Sequence, residues 1–188
     1  MSQQAAPVKK IQILGINMNT QPQLSEDTDQ LFRAIGRVVV QFQLLELWVA
    51  EALSSKLSMT SETDRHLISA AMSYRQKVDL LFELYARHGQ PSSSFNQVIA
   101  KKALVTAEEF RNRIVHSLWS VKGEPRQWVR TKANLRGRDG FVLRASPAQT
   151  TLLEEAASAM TRVRAWEEGN ESALNEAIRL LSSQETDA

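Results

Sequence analysis

Between residues 108 and 119 the chain reads Glu-Glu-Phe-Arg-Asn-Arg-Ile-Val-His-Ser-Leu-Trp. Three side chains in it, Arg111, Asn112 and His116, are of types that bind anions and move protons. A guanidinium offers a rigid fork of donors to an oxyanion. An imidazole, with an ordinary pKa near ~6.5, changes charge close to neutrality. On a helix turning about 100° per residue, Ala103, Ala107, Phe110, Ile114 and Leu118 form one apolar face, with Arg111 at its border. Asn112 and His116 fall one turn apart on a second face, beside Val105 and Trp119 and near Glu109. That face mixes large apolar groups with an amide and an imidazole, as contact surfaces do, and a homodimer would juxtapose two copies of it about a two-fold axis. Periodicity alone does not assign these residues to catalysis. An arginine at a core border commonly serves as an ion-pair partner, and a lone helical histidine is usually just packed.

Other charged residues bear on the same region. Glu46 stands among Phe42, Leu45, Val49 and Leu53, where an unpaired carboxylate is costly; Arg111 or Lys77 is its expected partner, in a structural role. His66, early in a helix, and His88, just before Gly89, read as bystanders. From Lys122 to Arg144 the chain carries seven basic residues against Glu124 and Asp139, on a chain whose net charge is only +2. Solvated arginines on a β-ribbon are ordinary. Yet basic residues alternating around Trp128, close in sequence to His116, also suit the backbone and bases of single-stranded RNA. Arg113, Trp119, Arg126, Trp128, Arg130 and Lys132 are the candidate contacts.

The elements that must position these groups follow from pattern. Residues 1–24 are polar, with Pro7 and Pro22, and read as a tail or an edge strand. Ser25 with Glu26, Asp27 and Asp29 caps a long first helix, apolar over much of its circumference and therefore central. A second helix begins after Thr60-Ser61 and ends at Gly89. The third opens with Ser94 and Gln97 in capping-box spacing and runs to about Trp119. Residues 126–145 read as a β-hairpin with its tip at Arg136–Gly140. Ser146-Pro147-Ala148-Gln149 starts a fourth helix, closed by Gly169, and a fifth spans Glu171 to Ser182. The expectation is an all-α, up-and-down bundle of about five helices over residues 25–183 with a small basic hairpin insertion between the third and fourth. Residues 184–188 are expected to be a disordered end.

Bulk properties exclude several chemistries. With 43% hydrophobic residues the chain can build a core, so wholesale disorder is ruled out. It has no cysteine, and its three histidines lack metal-ligand spacing, so neither a metal site nor a cofactor is expected. Met1–Val8 has no secretory pattern and no run approaches the length of a membrane span, which points to a cytoplasmic protein without a membrane partner.

The motif also carries a resemblance. Arg111-Asn112-x-x-x-His116 resembles the R-N-x-x-x-H signature of HEPN (higher eukaryotes and prokaryotes nucleotide-binding) domains. Phe42-Gln43-Leu44-Leu45-Glu46 is similar to the aromatic-x-x-[LI]-Glu of bacterial members, and Ser73 to Lys77 to their Ser-x-x-x-Lys segment. The likeness covers roughly residues 28–182, the hairpin and last two helices matching only in order. It implies a metal-independent endoribonuclease of toxin–antitoxin or phage-defence type, with a composite site at a homodimer interface and an antitoxin or other protein partner. His116 would be general acid or base, Arg111 would hold the scissile phosphate, and Asn112 would orient one of them or bind the phosphate. Where some toxin members carry a tyrosine that a partner nucleotidyltransferase modifies, this chain has Leu118. The alternatives are a catalytically inactive dimeric module of the same fold that binds RNA, a nucleotide or a protein, and a plain helical scaffold.

Overall fold

The computed structural model describes residues 26–122, 127–137 and 140–183. The expected tail, residues 1–24, and the end, residues 184–188, lie outside them. The chain is predominantly helical, with a small antiparallel three-stranded sheet. Helix α1 (Glu26–Lys56) buries Leu31, Val38, Phe42, Leu45, Val49 and Leu53 along one side and begins with three acidic residues that suit its N-terminal dipole. It packs chiefly against α5 (Thr150–Val163), and also against α3 (Tyr74–His88) and α4 (Gln97–Val115). The α1–α5 contact is close because α5 offers Ala156, Ala157 and Ala159 to the core. Helix α6 (Glu171–Ser182) lies against α4 and α5 and buries Leu174, Ala177, Ile178 and Leu181.

The helix expected from Ser61 to Gly89 is two helices, α2 (Glu62–Ala71) and α3. The break is chemical: Ser73 caps α3, accepting from the Gln76 N–H, while the Gln76 side chain accepts from the Ser73 N–H at 2.8 Å. Two other caps also differ from expectation. Asn96, not Ser94, caps α4, accepting from the N–H groups of Val98 and Ile99 at 3.1 and 3.2 Å. Helix α5 starts three residues after Pro147, which belongs to a strand.

The sheet has order β1 (Leu118–Lys122), β2 (Gln127–Gly137), β3 (Gly140–Pro147). The first two residues of strand β1, Leu118 and Trp119, were expected to end the third helix. Its pairing runs from Leu118 opposite Thr131 to Lys122 opposite Gln127, and β2 meets β3 with Lys132 opposite Arg144.

After α5 a short 3-10 turn, Trp166–Glu168, buries the Trp166 ring completely. Gly169 then takes φ +72°, and a Cβ there would stand 2.6 Å from the Ser94 carbonyl oxygen. Both the left-handed backbone and the contact exclude a side chain. Gly169→Ala is expected to destabilise the fold by about 2–3 kcal/mol, read as a lower urea midpoint at unchanged m.

Candidate functional site

Helix α4 ends at Val115, four residues before the expected point, and this reorganises the motif. His116 leaves the helix with φ −95° and ψ 9°, its N–H still bonded to the Asn112 carbonyl at 3.0 Å. The carbonyls left over at a helix end need donors, and the next residues provide them. The Ser117 hydroxyl donates to Arg113 O, and the Trp119 indole N–H donates to Ile114 O at 3.2 Å. Leu118, expected on the apolar core face, is instead 67% exposed in β1. Asn112 and His116, expected side by side on a continuous helix, are joined through the main chain, and His116 is exposed.

Arg111 is half-buried. Its guanidinium carbon lies 5.3 Å from the centre of the Phe42 ring, and Nη1 donates to Asn112 Oδ1 at 2.9 Å. Its Nε is buried without a hydrogen-bond partner among the described residues. No described carboxylate pairs with it, because those nearby are engaged elsewhere. Glu46 bonds Lys77, whose Nζ is 2.9 Å from Glu46 Oε1 and whose side chain is only 3% exposed. Arg75, on the first turn of α3, reaches Glu108 at 2.8 Å and Glu109 at 3.5 Å. Sequence reasoning gave Arg75 no role. The signal for it was the pair of adjacent carboxylates just before the motif, which need cations.

A second group gathers on another side of α4, since Arg111 and Arg113 are about 160° apart round the helix axis. Arg113 donates from Nη2 to the Leu181 carbonyl at 2.6 Å and lies 5.5 Å from the Phe110 ring. Arg130, opposite Trp119 in the sheet, is held below the usual guanidinium pKa by burial and, secondarily, by the nearby charge of Arg113. Arg130 and Trp119 line a cleft of about 110 Å³ with Ile114, Ser146, Gln149 and Leu152. Ser146 and Gln149 were read from sequence only as helix-starting residues, so their part in the cleft was missed.

Of the remaining candidate contacts, Trp128 and Lys132 are described. The Trp128 indole N–H donates to Thr28 Oγ1 at 3.0 Å and its ring stands 5.7 Å from that of Phe32, an attachment of sheet to α1. Lys132 is exposed in β2. Arg126 lies outside the described residues. Among the described residues no three His, Asp or Glu side chains gather as a metal-binding group. His66 faces Glu62 on the surface of α2, and His88 is exposed at the end of α3.

Compared with family models, with curated proteins and with solved structures, the chain matches none.

The Glu46–Lys77 pair sets up a stability measurement. Glu46→Ala leaves an ammonium buried without its counter-charge, and the expected loss is about 3 kcal/mol in chemical unfolding. The exchange Arg33→Ala, at an exposed pair with Asp29, should cost less than about 1 kcal/mol.

Proposed function

We propose that this chain is a HEPN-type helical bundle acting as a metal-independent endoribonuclease in a toxin or defence setting, with a composite site where two copies meet. The single observation that carries the reading is the state of the Arg111 guanidinium. Asn112 Oδ1 and the Phe42 ring hold it in place, no described carboxylate neutralises it, and an exposed imidazole follows at the end of the same helix. Such a group is pre-organised for an oxyanion.

In this reading one His116 removes the proton from a ribose 2′-hydroxyl as its oxygen attacks the adjacent phosphorus. The bond from phosphorus to the 5′-oxygen breaks, and the second protomer's equivalent imidazole returns a proton to that oxygen. The products are a 2′,3′-cyclic phosphate and a 5′-hydroxyl. Arg111 bears on the charge gathering on the non-bridging oxygens, and Asn112 keeps the guanidinium in place. Exposed Val115 and Leu118 beside His116 supply apolar surface for a second copy to cover. RNA would continue onto the side of α4 where Arg130 lines the cleft beside Trp119.

One observation favours the alternative, a non-catalytic RNA-binding module: the cleft beside Arg130 lies on a different side of α4 from Arg111. The two readings part on cleavage. On a mixed RNA pool in excess EDTA, the wild type should cut and leave cyclic-phosphate ends. His116→Ala should lower the rate by about 100-fold or more with helicity and unfolding midpoint unchanged, as expected for an exposed side chain. Salt-sensitive RNA binding without any cleavage would select the binding module instead.

A further inference from the structure

Helix α1 has a second face that the core does not use. Val40, Leu47 and Trp48 are 53%, 52% and 48% exposed, and Leu44 between them is half-buried. With Arg33, Gly36 and Glu51 these residues recur every three or four positions, in a band about 120° wide and about 27 Å long. The row lies on the side of α1 turned away from Phe42, and so away from Arg111.

We propose that this face is a two-fold interface at which α1 packs antiparallel against α1 of a second copy of the chain. The row is complementary to itself when reversed about the level of Phe42. Val40 then meets Leu44 of the other copy, and Arg33 meets Glu51, so each apolar end of the contact closes on an ion pair. Gly36 comes level with Trp48 of the other copy but on the opposite flank of the contact, since the two lie about 120° apart round the helix. A Cβ at Gly36 would have nothing within 4 Å, so the helix surface is bare there and lets a second backbone approach. Arg33 carries only a surface pair with Asp29 on its own helix, and Glu51 is exposed with no ion pair to another described residue. The inference goes beyond the ribonuclease reading and does not depend on it. A single helix pair of this length is at the small end of specific interfaces, below about 1,200 Å², where weak and transient association is the rule.

The test is sedimentation equilibrium of the full chain between about 1 and 100 µM. The wild type should self-associate, and Trp48→Ala should raise the dissociation constant of this contact by about 10-fold or more. Gly36→Leu should do the same by filling the space into which the second helix packs. It is also the control for folding, because leucine is a better helix former than glycine and a Cβ at this position meets nothing within 4 Å in the protomer. Glu51→Arg should weaken association, and adding Arg33→Glu should restore it. A protein that stays monomeric throughout, or one whose association ignores both Gly36→Leu and Trp48→Ala, overturns the proposal. Helix α1 is also long and apolar enough by composition to enter a membrane. If monomeric protein pelleted with phosphatidylcholine–phosphatidylglycerol vesicles, and lost that binding with Trp48→Ala, the face would belong to lipid and the proposal would equally fall.

Discussion

The last carbonyls of α4 need hydrogen-bond donors, and the chain supplies them from the residues that immediately follow. The Trp119 indole and the Ser117 hydroxyl turn the backbone out of the helix and into β1. From that reversal comes the sheet, because β1 is the strand on which β2 and then β3 are laid. The sheet is fixed again at its other contacts. Trp128 bonds to Thr28 at the start of α1, and the Ala148 N–H donates to the Trp128 carbonyl at 2.7 Å just before α5. The end of one core helix is thereby linked to the beginnings of two others, and His116 is left exposed at the corner.

The charges between α1, α3 and α4 are sorted by geometry. An ammonium almost fully out of water requires a counter-ion, and Lys77 takes Glu46. Arg75 takes both carboxylates that precede the motif. Arg111 is left with an amide oxygen and the face of Phe42, whose ring also packs 4.8 Å from that of Tyr74. A planar, weakly hydrated guanidinium tolerates that environment where an ammonium would not, so lysine at position 111 would be a poor substitute.

Much of this was legible in the sequence. The acidic first turn of α1 and its apolar rows placed a central helix, and the residues from Glu171 onward gave α6 its limits. Glu46 was recognisable as a carboxylate needing a partner, and one of its two candidate partners holds it. Two boundaries were hidden for a shared reason. The apolar spacing from Leu67 to Tyr85 continues through Ser73, and the spacing from Phe110 through Ile114 continues to Leu118. Periodicity therefore extends both helices past their ends. The first break is local, a capping box that the Ser73 and Gln76 spacing does encode. The second is closed by Ser117 and Trp119 donating to the last carbonyls and by the pairing of β1 with β2, and the apolar spacing carries neither. The separation of Arg111 from Arg113 follows from adjacent odd positions on a helix. The cleft beside Arg130 needed the strand register, which no single segment contains.

Symmetry connects the two faces discussed above. Phe42 points from α1 toward Arg111, so a two-fold contact through the opposite side of α1 places the motifs of both copies on the outside of the pair. A contact through Val115 and Leu118 does the reverse and brings the motifs together. Each face can be isologous only about its own axis, and where two such axes intersect at right angles the result is a closed tetramer rather than a growing chain. In that arrangement the proposed chemistry would depend on one contact alone. The α1 contact would then set how many sites one particle carries, without moving a single group within any of them.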